Sequence, residues 1–600
     1  MIFLLCFTLF VMASYPTVWI DLSDPSVAQQ VNQLNVGFIE QQVGTKYAFH
    51  VKDLKELDQL GIPYEIHSPS RSSTEGYYSP QEVLEQLKII AQDSSIAEYV
   101  VVGRSLQGRD IGGIRIGASV PNAQFRILGT HHGDELPSGE LALHLAQYLS
   151  EHADEENIQN LLADRAIWII PQVNPDGAAM VSRYNANLVD LNRNYNYQWS
   201  ASAFRPGEHS FSEPETQAIR TLNHLENFAG GLSIHTGATN LGWVWNFTTS
   251  PSPDDDLVTH LSNEYMESCN QDSFWITNGA EWYITNGDTT DWSYGNFGVL
   301  DFTLEVSAEK IPPADRLPHI FEAHRQAILN FISWPFITTG QVVDGTTGTG
   351  IAATITIAQG WPHTSNQSGD FARMVDDSNL VNAIVTAPGY LPTEVTLDPT
   401  QRNIIELSRE SISGIRPDPQ LHFEAPLFSL PVEAQNVQLY RLGEESVTAT
   451  NVSGQWRVDS PLPSGPWGLL IDGIHSPNAL FIQSPHLPSP VSTIHEDAVH
   501  ITNIEPAPGA KVRHFSGATI TDLNILEVSS TAMIVEAPLE PTEGVYVFIN
   551  RGEQSAFYPD RPHLSHEQDI QELYKPQGCA AASPLLLLLA LSFRRERCAG

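Results

Sequence analysis

Apolar and polar positions over residues 16–68 alternate between the two-residue period of strands and the longer period of helices. The pattern predicts, in order, a strand at "TVWIDL", a helix at "DPSVAQQVNQL", a strand at "KYAFHV", a helix at "KDLKELDQLG" and a strand at "PYEIHS". The polar stretch "SPSRSSTEG" follows and is typical of a linker. We therefore expect a small α+β N-terminal domain at 16–68.

Residues 76–335 contain longer apolar runs that alternate with amphipathic helical stripes. Ser79 and Glu82, with a proline at the first helical position between them, predict a helix start. Strands are predicted at 125–128, 166–173, 231–235 and 300–306, and helices include 138–152 and 318–332. Several runs are apolar at every position, which is typical of strands covered on both faces. We expect an α/β domain with a mixed, mainly parallel sheet flanked by helices.

Helical periodicity ends after Pro335, and alternating Gly/Thr-rich runs take its place. The segment "NAIVTAPGYLPTEVTL" (382–397) predicts two strands around a Pro-Gly turn. Residues 338–409 are therefore expected to form a small β-sandwich. Short apolar runs between Pro-rich turns continue over 411–575 and predict one or two additional β-domains.

Length and charge limit the class of protein. A chain of 600 residues exceeds a single hydrophobic core and suits several domains. The 70 Asp and Glu against 31 Lys and Arg give a net charge of −39, which disfavours nucleic acid and anionic membrane surfaces as partners. Such a charge suits a secreted protein, and we expect a monomer. The 4 cysteines are too few for a disulfide framework.

Both ends of the chain carry apolar segments that predict sorting signals. Residues 1–14 are typical of a secretory signal peptide, although they lack Lys and Arg; a buried first strand is the alternative. Residues 578–600 contain a Gly-Cys pair, a short apolar stretch and an arginine cluster. This tail resembles the myxobacterial-type C-terminal sorting tail, which implies anchoring at the bacterial cell surface. A disordered or weakly anchored tail is the alternative.

Potential metal ligands crowd the segment "GTHHGDELPSGE" (129–140), directly after a predicted strand. His132 and Glu135 are three residues apart, so a tight turn can aim imidazole and carboxylate at one point. Zn²⁺ accepts such ligands, yet an isolated His-x-x-Glu is a weak signal. His235 and Glu305 strengthen it, because each occupies an apolar strand where an unpartnered polar side chain is costly.

The order and spacing of several motifs resemble the zinc metallocarboxypeptidases of the carboxypeptidase A superfamily (M14). The motifs, spread over residues 76–335, are "HGDE", "NPDG", "R-x-NAN-x-VDLNRN", "SIH", "WY" with "DWSY", and "FTLEVS". The resemblance implies that His132, Glu135 and His235 bind one Zn²⁺ ion. It also implies a site open to water and to the C-terminal end of a peptide or protein.

The same resemblance implies a role for each further residue that matches. Glu305 would be the general base that deprotonates the zinc-bound water, and Arg183 would stabilise the oxyanion. Asn192 and Arg193 would hold the C-terminal carboxylate of the substrate, and Tyr283 would close over it. The implied reaction is hydrolysis of the C-terminal peptide bond.

The pocket for the released residue falls at Asn246 and Thr290 in this resemblance. Both side chains are neutral, whereas members that prefer Lys or Arg carry an acid there. We therefore expect release of neutral C-terminal residues. Asp288 and Asp291 lie close in sequence, so weak activity on basic residues stays open.

Two other motifs receive no catalytic role. His131 and Asp134 form an overlapping His-x-x-Asp pair, but the family pattern favours the pair one position further along. In "FSEPET" (211–216), Ser212 and Glu215 predict a capping box and therefore a structural role.

The flanking segments also resemble known modules. Residues 338–409 are similar to the transthyretin-like domain of the regulatory (N/E-type) branch, on "VVDGTTGTGI", "SGDFAR" and "APGYLP". Residues 16–68 resemble the small N-terminal domains of bacterial secreted members, either a pro-region or a permanent accessory domain. Two other functions stay open: a deacylase or amidase acting on amino-acid conjugates or peptidoglycan stem peptides, and a catalytically inactive surface adhesion protein.

Overall fold

The structure is a computed structural model that describes residues between 17 and 557. The described residues are continuous over 74–357 and 360–409, with short gaps over 17–66 and repeated gaps over 420–557. The predicted signal peptide (1–14) and sorting tail (578–600) lie outside them. Within the described part of the chain, no helix is both long and apolar enough to cross a membrane.

The N-terminal unit has one four-stranded antiparallel sheet in the order β2-β3-β1-β4. Its elements are β1 (Thr17–Asp21), α1 (Pro25–Val31), β2 (Val36–Val43), β3 (Lys46–Val51), α2 (Leu54–Leu60) and β4 (Glu65–Ile66). The two predicted helices and the first two predicted strands are confirmed, but β2 was not predicted. Gly61 ends α2 with φ +66, a conformation that favours glycine.

The central unit is an eight-stranded sheet flanked by helices. Its elements are α3 (Pro80–Asp93), β5 (Ala97–Arg104), β6 (Asp110–Gly117), β7 (Ala123–Leu128), α4 (Leu136–Glu151), α5 (Glu156–Asp164), β8 (Arg165–Ile170), α6 (Pro175–Met180), α7 (Pro214–Leu225), β9 (Phe228–His235), β10 (Thr239–Trp243), α8 (Asp255–Ser268), β11 (Trp275–Asn278), α9 (Gly279–Trp282), α10 (Thr289–Phe297), β12 (Leu300–Val306) and α11 (Leu317–Ile332). Two short 3₁₀ helices lie at Leu191–Arg193 and Ala314–Arg316.

The strand order is β11-β10-β12-β9-β7-β8-β6-β5. The four strands β12, β9, β7 and β8 run parallel to one another, and antiparallel pairs join β10 to β12, β6 to β8 and β5 to β6. The predicted mixed, mainly parallel α/β sheet is therefore present. The β5–β6 hairpin was not predicted.

Alternation along the strands divides the apolar side chains between two cores. In β8, Ile167 and Ile169 face one hydrophobic cluster, whereas Trp168 and Ile170 face the other. Because both faces are covered, the strand is apolar at every one of these positions. Because β7, β9 and β12 run parallel, their carboxyl ends meet at one edge of the sheet, where loops can hold functional side chains.

Capping boxes were predicted at the starts of two helices, α3 and α7, and only the one at α3 is present. Ser79 and Glu82 form the predicted capping box at α3. At α7, the predicted box of Ser212 and Glu215 is wrong, since the N-cap residue is Glu213 and its side chain makes no cap bond. Glu215 is fully buried and points into the protein instead.

Residues 337–407 form two sheets around one core. The elements are β13 (Ile337–Asp344), β14 (Thr354–Ile357), β15 (His363–Thr364), β16 (Asp370–Met374), β17 (Val381–Thr386), β18 (Thr393–Leu397) and β19 (Arg402–Leu407). The sheets have the orders β16-β13-β19 and β15-β14-β17-β18, and side chains from both enter one hydrophobic cluster. Arg373 ties this unit to the central one, because its guanidinium donates to Asp254 at the start of α8 over 2.6 Å.

Residues 420–557 are built from strands alone in the part that the structure describes. The strands are β20 (Gln420–Phe423), β21 (Leu427–Phe428), β22 (Val437–Tyr440), β23 (Val447–Thr448), β24 (Thr450–Val452), β25 (Gln455–Arg457), β26 (Gly465–Ile471), β27 (Ile474–Gln483), β28 (Val491–His495), β29 (Ala498–Thr502), β30 (Lys511–Ser516), β31 (Thr519–Asp522), β32 (Ile525–Val528), β33 (Ala532–Glu536), β34 (Val545–Asn550) and β35 (Glu553–Phe557). They enclose two separate hydrophobic clusters, one between 428 and 482 and one between 499 and 548.

Candidate active site

Two adjacent parallel strands bring the predicted metal ligands together. His132 and Glu135 lie in the turn between the end of β7 and the start of α4, and His235 is the last residue of β9. Leu128 pairs with Ser233 in the register of the two strands, so His235 extends just past the edge at which that turn begins. All three side chains are buried.

The three side chains face one another. Nδ1 of His132 lies 2.9 Å from Oε1 of Glu135, and Nδ1 of His235 lies 3.0 Å from Oε2 of the same carboxylate. The two Nδ1 atoms are 3.2 Å apart. The ligand atoms of the trio all lie within 4.8 Å of one another.

This donor set fits a zinc ion. Two imidazole nitrogens and one carboxylate are a ligand set of catalytic zinc sites, which keep a further position open. Since both histidines direct their Nδ1 atoms at the same carboxylate, one cation between them would meet all three donors. The chemistry and convergence of His132, Glu135 and His235 therefore suit a single Zn²⁺.

Glu135 is held from two further directions. The backbone N–H of Thr236 donates to Oε2 over 3.1 Å, and Nζ of Lys310 lies 2.9 Å from Oε1. Lys310 also donates to Asp134 over 3.1 Å. The sequence reasoning missed Lys310, although it lies three residues after the motif "FTLEVS" (302–307). Asp134 is therefore part of the support for the ligand set rather than a ligand.

Asp190 links the metal ligands to Arg183. Its Oδ1 lies 3.2 Å from Nε2 of His132, and its Oδ2 accepts a hydrogen bond from Nε of Arg183 over 2.9 Å. Burial opposes its ionisation, but Arg183, His132 and Arg193 outweigh that effect and hold the pKa of the Asp190 carboxyl well below its usual value. Asp190 was quoted within a motif but received no role from the sequence.

His131 supports the site without facing the other ligands. Its Nε2 lies 2.9 Å from the hydroxyl of Tyr195, and its Nδ1 lies 3.3 Å from Oγ of Ser233. The same Oγ lies 3.2 Å from Nε2 of His235. Burial, with repulsion from the neighbouring histidines, lowers the pKa of His131 well below its usual value, so the ring is neutral. Ser233 thus orients the outer nitrogen of His235.

Glu305 lies next to His235 across the sheet. The two residues are direct partners in the parallel register of β12 and β9. Directly opposed residues on neighbouring strands project to the same face of a sheet. Glu305 is buried, with 1% of its surface exposed. A buried carboxylate therefore lies next to one member of the ligand trio, on the same side of the sheet.

The predicted substrate residues lie on connected segments. Nη1 of Arg183 lies 3.2 Å from Nδ1 of His132. Asn192 and Arg193 belong to the 3₁₀ helix eight residues further along, and Oδ1 of Asn192 accepts the backbone N–H of Thr289 over 3.0 Å. Tyr283 follows α9 and packs, with its neighbour, against the hydrophobic cluster of the N-terminal unit.

Asn246, one of the two predicted pocket residues, is bonded to two acids that lie next to Thr290 or within two residues of it in the sequence. Nδ2 of Asn246 donates to Asp288 over 2.9 Å, and its backbone N–H donates to Asp291 over 2.8 Å. The hydroxyls of Thr290 and Thr303 lie 2.9 Å apart. Burial, with repulsion from Asp288, raises the pKa of Asp291 well above its usual value.

Comparison with known families agrees with this geometry. Residues 83–327 match the family model described as zinc carboxypeptidase (Peptidase_M14). The matched segment of this zinc carboxypeptidase family contains the ligand trio, Glu305 and the arginine-bearing segment. The M14 family is therefore supported for the central unit.

Curated relatives carry the same family name. Carboxypeptidase SOL1 of Arabidopsis thaliana is 30% identical over 44% of this chain and 57% of its own length. The catalytic chain of carboxypeptidase N of Homo sapiens is 28% identical over 55% of this chain and 86% of its own length. The chain spans 25% of carboxypeptidase D of Anas platyrhynchos at 27% identity. Among solved structures, carboxypeptidase A of Helicoverpa armigera aligns with a TM-score of 0.45 and 20% identity, over 53% of this chain and 96% of that one.

Proposed function

We propose that the chain is a zinc-dependent exopeptidase that hydrolyses the C-terminal peptide bond of peptides or proteins. The observation that carries the proposal is the convergence of His132, Glu135 and His235 beside Glu305 at one sheet edge. An adjoining segment contributes a guanidinium directed at the same point. The M14 family match supports the same reaction class.

Each residue has a role that its place allows. A zinc ion held by the trio would lower the pKa of water toward about 7 and polarise a carbonyl. Glu305 accepts a proton from the attacking water and delivers it to the leaving amine. Arg183, whose Nε is fixed by Asp190, directs its terminal nitrogens to the developing oxyanion.

Asn192 and Arg193 explain the preference for a chain end. We call these two residues the carboxylate clamp. A planar guanidinium binds both oxygens of a carboxylate. An internal peptide bond offers no carboxylate to this pair, so the paired hydrogen bonds that a chain end would accept are not made. The clamp therefore favours exopeptidase over endopeptidase activity.

We further propose that the released residue is neutral. Asn246 and Thr290 present an amide and a hydroxyl. Asp288 already accepts hydrogen bonds from Asn246 and from the hydroxyl of Thr285, the latter over 2.6 Å. Asp291 is bonded to backbone N–H groups and favours its neutral form. The hydrogen bonds to these two carboxyl groups are thus already made by residues of the protein itself.

The test is hydrolysis of blocked dipeptides that end in a free carboxylate or an amide. We expect the free acids to be cleaved far faster than the amides, with activity lost to a chelator and restored by zinc. Equal cleavage of the amides would favour a deacylase or endopeptidase instead. A zinc-replete chain with no activity on any acyl-amino-acid panel would favour a binding protein. Faster release of Lys or Arg than of neutral residues would contradict the pocket proposal alone.

A further inference from the structure

Two glutamates at the start of α7 are buried beside each other. Glu213 and Glu215 have exposed fractions of 1% and 0%. Both accept a hydrogen bond from the same amide, because Nδ2 of Asn185 lies 2.7 Å from Oε2 of Glu213 and 3.2 Å from Oε2 of Glu215. The Asn185 amide thus bridges two carboxylates that lie two residues apart in the sequence.

The remaining contacts of this pair are also to neutral groups. Oε1 of Glu215 accepts the backbone N–H of Leu106 over 3.0 Å. Oε1 of Glu213 accepts the hydroxyl of Ser212 over 2.7 Å and the amide of Asn187 over 3.4 Å. Burial, with repulsion from Glu213, raises the pKa of Glu215 to about 7. Burying two carboxylates beside each other among neutral partners costs free energy.

Asn185 connects the pair to a closed turn. Its Oδ1 accepts the backbone N–H groups of Asn187 and Val189, both over 3.0 Å. Its own backbone N–H donates to the carbonyl of Val189 over 3.0 Å. The residue after this turn is Asp190, which binds Arg183. The position of Asn185 therefore sets the position of both ends of the turn.

The same helix start holds the far end of the segment. Oδ1 of Asn194 accepts the backbone N–H of Glu213 over 3.2 Å and the hydroxyl of Thr216 over 2.7 Å. Segment 183–194 is therefore bonded to α7 near both of its ends. The oxyanion-facing arginine and the carboxylate clamp lie between or beside those two attachments.

We propose that Glu213 and Glu215 are positioning residues that act through Asn185 to place the carboxylate clamp. They touch neither the ligand trio nor Glu305, so their effect passes through segment 183–194. This inference rests on the proposed function, because it names what that segment is placed for. Through these two glutamates, the "FSEPET" motif (211–216) serves to align the substrate.

The variants Glu213→Gln and Glu215→Gln test the proposal. Each keeps the side-chain volume but leaves one acceptor oxygen where the carboxylate has two, so Gln at either position must give up the bond from Asn185 or the bond at its other oxygen. Misplacement of a binding group by about 1 Å costs about 10²-fold in rate. We expect kcat/KM on free-acid dipeptides to fall about 10-fold in each variant and about 10²-fold in the double variant, chiefly through KM.

Selectivity separates positioning from a general loss of fold. Amidated dipeptides do not use the carboxylate clamp, so the ratio of acid to amide cleavage should fall with kcat/KM. Zinc content measured at saturating zinc should stay as in the parent chain, since the three ligands come from other segments. The control is Glu140→Gln, because Glu140 is also buried and accepts a backbone N–H, that of Tyr78 over 2.8 Å, away from segment 183–194.

Hydrogen–deuterium exchange gives a readout that does not need catalysis. In the double variant, backbone amides of 183–194 should exchange at least about 10-fold faster, a loss of protection expected when a local tie is broken. Strands β7 and β9 should stay protected, and Glu140→Gln should leave the segment unchanged. If the double variant does not fold, the single variants give the same comparison.

The outcomes are distinct for the two proposals. Unchanged exchange in 183–194, together with an acid-to-amide ratio within about twofold of the parent, would overturn the positioning role. An inactive parent chain would refute the proposed function. In that case faster exchange would still support the tie between α7 and the segment, and unchanged exchange would overturn it.

Discussion

Substitution of Asp190 by Asn tests how the structure supports the ligand trio. The carboxylate bonds His132 on one side and Arg183 on the other. Asn keeps the shape but has only one acceptor oxygen. Its amide hydrogens must face either the imidazole or the guanidinium, both of which present donors there. One of the two contacts is therefore lost in every rotamer.

The magnitude follows from the two contacts. Changing a group that orients a metal-bound histidine costs about 10- to 100-fold in metal affinity. At about 1.4 kcal/mol per factor of ten, this is about 1.4–2.8 kcal/mol of binding free energy. Arg183 would also lose the counter-charge of a buried pair, and breaking such a pair costs about 3–5 kcal/mol of folding stability. The Asn oxygen retains one contact, so we expect the lower end.

Zinc affinity is measured by competition with a chromophoric chelator, and unfolding by denaturant titration of the zinc-free chain. The matched control is Asp176→Asn. Asp176 is equally buried and accepts hydrogen bonds from Ser105 over 2.8 Å and from Arg109 over 2.5 Å, outside the ligand trio. This control should lose stability without a change in zinc affinity beyond about twofold.

One result would refute the reasoning on Asp190. If Asp190→Asn bound zinc within about twofold of the parent chain while Asp176→Asn behaved the same way, the carboxylate would not orient His132. Loss of affinity in both variants would point instead to general destabilisation of the unit.

Three further changes have definite expected outcomes. Glu305→Gln should lower kcat about 10²–10⁴-fold with zinc content unchanged, measured on free-acid dipeptides, and a smaller loss would exclude it as the general base. Burial raises the pKa of Glu140 from 4.5 to about 7 in the folded protein. The free energy of unfolding therefore falls as the pH rises through this range, and the loss is complete once Glu140 is ionised above pH 7. Glu140→Gln should therefore gain stability over the parent between pH 5 and 8, by up to about 3 kcal/mol; an equal difference at all pH values would contradict this. Arg373→Met removes the cation beside Asp254, whose side chain is 10% exposed, and should cost about 3 kcal/mol in denaturant unfolding, whereas Arg402→Met, at a pair about one-third exposed, should cost about 1 kcal/mol or less.

Local spacing indicated candidate ligands at strand ends, and the resemblance to zinc metallocarboxypeptidases selected His132, Glu135 and His235 among them. A three-residue step at a strand end, and two strand residues with apolar neighbours, are visible in the chain itself. The sheet then needs only a parallel order to bring these strand ends together. For this reason the α/β character, β12 at 300–306 and the helix at 317–332 were predictable.

Contacts between distant segments were not predictable in this way. Lys310 reaches Glu135 from 175 positions along the chain, and no local period encodes that approach. Asp288 reaches Asn246 from 42 positions away. At α7, local capping preference predicted Ser212 with Glu215, but burial against Leu106 and Asn185 prevailed. Hydrogen bonds to residues distant in the sequence therefore prevailed over the local preference for a capping box.

Tyr283 and Trp282 share apolar contacts with the core of residues 17–66. A trimmed chain that begins near residue 74 would present more of these two rings to water. Such a product would be prone to self-association at that surface. Expression of the central unit for enzymology should therefore retain the N-terminal strands.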